Sequence, residues 1–410
     1  VTPFTRFLLP LSSYFLLALS NAEAIGFRLP NQDPDAIARG NAFVATADTP
    51  SAVYFNPAGI TQLEGQNASF GLYAISADVE FTGSGTSGKT DSSAQFVPQL
   101  YYTYSLDNSN WSFGLGVFAP FGLSIDWGDD SPFPSKARSG RLSYISINPV
   151  VAYQISDKLS LGAGISFDYA EFEVEQALFP NNLGTFEFEG DGTTVGFNLG
   201  LLYQPNKIWS FGLNFRSATS VEFGGDSTVK TPIAIAPALP AAGTYRSNSS
   251  ANFDLPQNID LGVSYRPNED WNFEINIDWT DFDVVNSSTI KATPLGDVSF
   301  LLNYEASFTY EFGVTRYLNN GYYISTGYIF SEQSVPDETF TPLNPDADYH
   351  LWGAGVGHEG VKWSWSFGYH FAYNGGKSIS GNAPSAAGET ADGEYETFNH
   401  AVNLALRYSF

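Results

Sequence analysis

Most of the residue sets that do covalent chemistry are missing from this chain. Its 410 residues include no cysteine, which removes disulfides and thiolate metal sites together. The four histidines, His350, His358, His370 and His400, stand too far apart to form a metal motif by spacing. No serine lies in a G-x-S-x-G setting, so no nucleophile for hydrolysis is marked. The run Asn344 to Asp348 lacks the ligand spacing and the final carboxylate of a calcium loop, and reads as a turn. No cofactor is called for, and the chain does not read as an enzyme. What remains is the chemistry of association. Between 119 and 140, Phe121, Leu123, Ile125, Trp127 and Phe133 stand among Pro120, Gly122, Gly128, Pro132 and Pro134. They would make an exposed groove for a hydrophobic small molecule, or a loop packed on its own small core. Lys136, Arg138 and Arg141 follow, in a chain poor in cations. They would steer a carboxylate, or else pair with Asp126, Asp129 and Asp130.

The elements that must carry this loop are strands. Trp271, Phe273, Ile275, Ile277 and Trp279 alternate with Asn272, Glu274, Asn276, Asp278 and Thr280, giving one face suited to lipid and one to water. The pattern recurs at Trp111 to Val117, at Leu159 to Phe167 and at Trp363 to Tyr373. Fourteen candidate strands follow, roughly 66 to 80, 95 to 107, 110 to 118, 141 to 156, 159 to 175, 193 to 205, 208 to 222, 251 to 266, 270 to 284, 300 to 314, 320 to 331, 349 to 358, 362 to 373 and 395 to 410. An even number lets the last strand close antiparallel on the first, as a bacterial transmembrane β-barrel requires. Tight turns at 107 to 110, 156 to 158, 205 to 207, 266 to 270, 319 to 321 and 359 to 361 alternate with long loops at 119 to 140, 176 to 192, 223 to 250, 285 to 299, 332 to 348 and 374 to 394. Short turns read as periplasmic and long loops as extracellular. The expected fold is all-β, a membrane-spanning 14-stranded antiparallel barrel formed by 64 to 410.

Composition agrees. Aromatic residues make up 16% and charged residues 15% of the chain, and alternation hides the apolar half from average hydropathy. The net charge of −25 argues against nucleic acid as a partner, since phosphate binding needs a cationic face. The start, with Arg6, the apolar run Phe7 to Leu19 and the small residues before Ala24, reads as a signal peptide over 1 to 24 rather than a membrane anchor. Residues 25 to 63 alone do not read as strand and turn. Their small and short polar residues, with Pro50 and Pro57, suit a compact segment that fills the lumen of the barrel.

The run Ala38-Arg39-Gly40-Asn41-Ala42, then Asp48, then Ala52-Val53, then Phe55-Asn56-Pro57-Ala58-Gly59-Ile60, resembles the N-terminal hatch of the long-chain fatty acid and aromatic hydrocarbon transporters of Gram-negative outer membranes. Three later blocks match the same family: Ala119-Pro120-Phe121-Gly122-Leu123 with Ile147-Asn148-Pro149; Leu255-Pro256-Gln257 with Leu261 to Arg266; and Ser334-Val335-Pro336-Asp337 with Thr341 to Asp348. The resemblance implies a fourteen-stranded barrel with a hatch over 25 to 63 and passive passage of a long-chain fatty acid or a hydrocarbon. Ligand would move from an outer groove to an interior pocket at Ile25, Gly26 and Phe27, then leave through a lateral gap. Asn56, Pro57 and Ala58 would form the hatch closure, and are read first as a structural bend. The last strand, with Val402, Leu404, Leu406, Tyr408 and Phe410 on one face, resembles the signal read by the barrel assembly machinery. Outer-membrane lipid and lipopolysaccharide would surround the wall. A general porin and an adhesive surface barrel are the other readings.

Overall fold

The computed structural model describes residues 27–410 apart from 84, 92, 93 and 182. The expected leader, and Ile25 and Gly26 with it, lie outside the described residues. Period-two alternation builds the wall as anticipated. Phe273, Ile275 and Ile277 are 43%, 52% and 43% exposed, whereas Asn272, Glu274 and Asn276 between them are at most 1% exposed.

Fourteen wall strands run in chain order. They are β1 (Gln66–Gly83), β2 (Gln95–Ser105), β3 (Trp111–Phe118), β4 (Ser139–Ser156), β5 (Leu159–Phe179), β6 (Leu183–Tyr203), β7 (Trp209–Arg216 and Thr219–Thr231), β8 (Gly243–Leu255 and Asn258–Asn268), β9 (Trp271–Thr280 and Ser287–Thr293), β10 (Gly296–Leu301 and Ser307–Tyr317), β11 (Tyr322–Ser331), β12 (Tyr349–His358), β13 (Trp363–Tyr373) and β14 (Gly393–Ser409). Each pairs antiparallel with its neighbours, and β1 pairs with β14 from Asn67↔Ser409 to Thr82↔Glu394, which closes the ring. The anticipated count and order of strands hold.

Three of the anticipated long loops do not. Where 176 to 192, 223 to 250 and 285 to 299 were expected to be irregular, β5 and β6 continue to Phe179 and from Leu183, β7 runs to Thr231, β8 starts at Gly243, and Ser287–Thr293 pairs with Gly296–Leu301. The physical reason is a reversal of polarity along the strands. In the lower part of β5, Ile165 and Phe167 face outward at 51% and 54% exposure and Asp168 faces the interior. Higher up, Glu171, Glu173 and Glu175 take the outward positions, while Phe172 and Val174 point inward with Phe186, Phe188 and Phe223. A search for apolar-outward strands stops where the wall rises out of the lipid.

Residues 27–63 make their contacts with inward-facing wall residues. Asp33 caps a short helix α1 (Pro34–Ala38) by accepting from Asp35 N, and Pro34 sits in its first turn, where a missing N–H is harmless. A second short helix, α2 (Ala52–Phe55), leads to a 3-10 turn at Pro57–Gln62. Wall glycines admit this segment. A Cβ added at Gly327 would lie 2.0 Å from the Arg39 carbonyl carbon, at Gly353 2.2 Å from Ile37 O, at Gly212 2.2 Å from Val44 O and at Gly162 2.4 Å from the Pro57 carbonyl carbon. Those glycines belong to β11, β12, β7 and β5, so the segment touches the ring on several sides from within.

Candidate functional site

Charge is distributed reciprocally between the lumenal segment and the wall. Arg28 and Arg39 come from the segment and meet wall acids: Arg28 Nη1 lies 2.5 Å from Asp278 Oδ2 and 2.7 Å from Thr280 Oγ1, and Arg39 lies 3.5 Å from Glu274. Ala45 N donates to the same Glu274 at 2.8 Å, and Thr46 Oγ1 donates to it as well. Arg266 and Arg407 come from the wall and meet segment acids: Arg266 lies 2.8 Å from Asp48, and Arg407 contacts Asp35 and lies 3.6 Å from Asp33. The buried pairs of Arg28, Arg39 and Arg407 add little net stability over apolar packing, but breaking one strands a charge away from water. They fix where the segment sits.

Asn56 does the same with neutral groups. Its Nδ2 donates to Val44 O at 2.9 Å and to Leu201 O on β6 at 3.0 Å, while its Oδ1 accepts from Ala58 N at 3.1 Å. Pro57 and Ala58 follow it in the 3-10 turn, and both are buried. Replacing Asn56 by Ala leaves two buried carbonyls and one turn N–H without this partner, an expected loss of about 2–3 kcal/mol. Hydrogen exchange over residues 44–62 should quicken in that variant while the wall strands remain protected.

Above this polar layer the interior is apolar. Phe27 is 2% exposed, and its ring centroid lies 5.2 Å from Phe253, 5.5 Å from Phe282, 6.0 Å from Phe121 and 6.4 Å from Tyr304. Phe172 extends the cluster to Phe223 and Phe253 at 5.7 and 6.3 Å. The start of the segment is also tied to the chain leaving β3. Leu29 N donates to Pro120 O at 2.8 Å and Gly122 N to Phe27 O at 2.9 Å. Because residues 119–121 turn inward to make these bonds, β2 and β3 pair only from Leu100↔Val117 to Ser105↔Ser112. Phe96 to Gln99 pair with β1 and, among the described residues, have no ladder partner on their other side.

This arrangement has relatives. The family described as outer membrane protein transport protein (OMPP1/FadL/TodX) matches residues 15–410. The chain belongs to this family. Among the relatives of this FadL/TodX family member is the long-chain fatty acid transport protein of Salmonella typhi, 24% identical over 371 residues that cover 82% of this chain and 84% of the relative. The Escherichia coli K12 protein of the same description is 23% identical over 384 residues, covering 83% and 85%. The crystal structure of a Pseudomonas aeruginosa FadL homologue superposes with a TM-score of 0.84 at 17% identity, covering 94% of this chain and all of the homologue. That of the Pseudomonas putida toluene transporter TodX gives 0.76 at 18%, with the same coverage. The chain is an outer-membrane β-barrel of a transport family.

The anticipated apolar site residues share one buried cluster in this FadL/TodX barrel. Phe27 and Phe121 come together at the top of the lumenal segment. Further out, Ile125, in a short strand Gly122–Asp126 paired with β4, and Trp127 just beyond it are 2% and 4% exposed, with Leu123 half-buried beside them. Trp127 packs on Phe133 at 5.0 Å and donates from Nε1 to Pro342 O at 3.0 Å; Phe133 in turn meets Phe81 at 5.0 Å. The expected exposed groove is therefore a closed aromatic core in this structure, because the 332 to 348 and 374 to 394 loops fold over it. Lys136 donates to Asn382 and to Ala383 O, and Lys377 to Val335 O and Asp346 O at 3.1 Å. Burial lowers the pKa of both amines and raises that of Asp346.

Arg138 pairs with Asp129, one of the three acids anticipated, and lies 2.6 Å from Glu175. Arg141 pairs with Glu173 and lies 3.7 Å from Glu171. These β5 glutamates were not anticipated, since only cross-strand register brings them near. Phe253, Phe282, Tyr304 and Phe172 were missed for the same reason. For Phe172 and Phe253 the one signal in the sequence is an apolar residue on the strand face that is polar lower down; Phe282 and Tyr304 lie off the strands. His370 lies between Tyr73 and Asn399 at 3.4 and 3.2 Å, remote from the other histidines in role.

Proposed function

We propose that this chain passively carries hydrophobic small molecules, long-chain fatty acids foremost, across the outer membrane through the chamber around Phe27 and out through the wall between β2 and β3. The observation that carries this reading is the reversal of interior polarity. The interior at the level of Phe27, Phe172 and Phe253 is apolar, whereas the lumen beneath it is lined by Asn, Asp, Glu and Arg and occupied by residues 27–63. A sixteen-carbon chain released into such a lumen loses roughly 12 kcal/mol of apolar burial, at about 0.8 kcal/mol per methylene. Sideways departure into lipid keeps that burial. Phe96 to Gln99, which among the described residues have no ladder partner on β3, lie where the chain turns inward to hold Phe27. In this reading residues 25–63 are the hatch, Asn56, Pro57 and Ala58 are its fixed end, and Ile25 to Phe27 with Pro120 and Phe121 form the end that yields to ligand. Leu123, Ile125 and Trp127 open to receive ligand first, and Arg138 and Arg141 exchange their glutamates for its carboxylate. Lipopolysaccharide and outer-membrane lipid contact the outer face, and the assembly machinery reads the strand ending at Phe410. The role is transport without catalysis.

The test is uptake by a strain lacking its own hydrophobic-solute transporters and expressing the full chain. Labelled palmitate is expected to accumulate faster than with an empty vector, with hexadecane and toluene as the other arms. Stronger toluene or hexadecane uptake would move the substrate to hydrocarbons. No gain for any of the three, with a gain for a small sugar, would replace the proposal by a porin.

A further inference from the structure

The loops that close over the outer aromatic core are joined to one another unequally. Loops 332 to 348 and 374 to 394 are bound into one body. Lys377 Nζ, on the second, donates to Val335 O and Asp346 O on the first, and Asn382 Nδ2 donates to Asp337 O at 2.9 Å and Phe340 O at 2.8 Å. Main chain joins them too, with Ala383 N donating to Glu338 O at 2.9 Å. This cover is braced on the chain between the two parts of β10, where Thr339 Oγ1 donates to Leu302 O and Asn344 Nδ2 to Tyr304 Oη. The loop 119 to 140 is bound to the wall instead. Its strand Gly122–Asp126 pairs with β4, Arg138 N donates to Glu175 O on β5 at 3.1 Å, and Ala177 N of β5 donates to Pro134 O at 2.8 Å. It is a shelf fixed to β4 and β5.

Between shelf and cover, among the described residues, no hydrogen bond runs from backbone to backbone. Side chains make the joint. Ser135 Oγ lies 2.7 Å from Ser385 Oγ, Ser135 N donates to Glu389 Oε2 at 2.8 Å, and Lys136 donates to Asn382 and Ala383 O. Alongside, Trp127 of the shelf donates to Pro342 O of the cover, and Phe133 lies 6.3 Å from Tyr395, which in turn lies 4.7 Å from Phe340. Parting this joint leaves every strand ladder intact, whereas splitting the cover or lifting the shelf breaks main-chain pairs. It is the boundary with the least to lose on local opening. Opening also lets Lys136 and Glu389 hydrate and uncovers the rings of Trp127, Phe133 and Phe340. An apolar solute that covers those rings binds the parted state better than the closed one, which is the condition for a ligand to open a gate.

We infer that the side-chain joint between the 119 to 140 shelf and the cover is the outer gate of this barrel, parting to admit a hydrophobic solute to the buried rings. This rests on the transport reading given above and adds to it the place of entry.

The test is a reversible lock. The chain has no cysteine of its own, so Ser135→Cys with Ser385→Cys provides the two thiols alone. Their oxygens lie 2.7 Å apart, and sulfurs in the same places need a shift of less than about 1 Å to bond at about 2.05 Å. Bridge formation under mild oxidation is followed on a non-reducing gel. Palmitate uptake by cells carrying the bridged protein is expected to fall about tenfold or more, because a gate held shut has no open population. Reduction should restore it, and each single-cysteine variant should match wild type under the same oxidant. Unchanged uptake with the bridge formed, or a loss that reduction leaves in place, would overturn the inference. Should the pair not bridge, Ser135→Ala decides instead: a looser joint should raise uptake, and an equal or lower rate would overturn the gate. Absence of palmitate, hexadecane and toluene uptake by wild type would remove the transport reading itself, whatever the lock does.

Discussion

Valines in place of Gly327 and Gly353 are expected to unseat residues 34–41 and to make the barrel permeable to small polar solutes. An added Cβ at the two positions falls 2.0 Å from the Arg39 carbonyl carbon and 2.2 Å from Ile37 O, distances that only backbone movement can relieve. The wall is fixed by pairing to neighbours on both sides, so the lumenal segment is the part that must shift. Overpacking of this kind costs about 1–3 kcal/mol per site, which for two sites raises the unseated population by roughly tenfold or more. Swelling of proteoliposomes in small sugars measures it directly. Gly224→Val is the control, since nothing lies within 4 Å of its added Cβ. Equal swelling rates for the double variant and the control would mean that the segment does not restrict the lumen.

The second large effect is expected at Arg407. Asp33 and Asp35 are 1% and 7% exposed, and Arg407 is the cation facing both. Arg407→Leu leaves two carboxylates in a dry interior, with Tyr323 Oη donating to Asp35 at 2.7 Å as partial relief. Removing one partner of a buried pair costs about 3–5 kcal/mol. The temperature at which the barrel loses its compact mobility on a detergent gel should fall clearly. Adding Asp35→Asn to Arg407→Leu should recover much of the loss, because the stranded charge, rather than the lost arginine, is the source of the instability. No recovery in the double variant would show that Arg407 acts through its stem and its contact with Ser366 instead.

Much of the architecture was legible because lipid imposes a simple rule. Where Phe273, Ile275 and Ile277 alternate with Asn272, Glu274 and Asn276, one face must meet hydrocarbon, and strand number and orientation follow. Residues 25 to 63 stood apart from the strands by contrast, through Pro50, Pro57 and their run of small residues. The upper strands were not. Glu187, Glu189 and Asp191 look like a solvated loop until the register pairs them with Glu175, Glu173 and Glu171 on β5. The candidate site was half legible. Phe121 stands in one of the local blocks that carry the resemblance and Phe27 follows from that resemblance, but the Phe253 and Tyr304 rings that pack on Phe27 come from β8 and the β10 region, which only the fold brings together.

The ring closes between residues far apart along the chain, with Ser409 donating to Asn67 across a separation of 342 positions. Joining such distant ends is the entropically hardest step in building any barrel. Here the lumenal segment holds both sides of that joint, through Asn31 to Tyr73 on β1 at 3.1 Å and through Asp35 to Arg407 on β14. It also accepts from Gln99 on β2 at 3.0 Å through Asn31 O. The segment is thus a clamp on the seam, one that shortens the search by which the first and last strands meet. Slower refolding of Arg407→Leu, beyond its lower melting temperature, is where that assembly role would show.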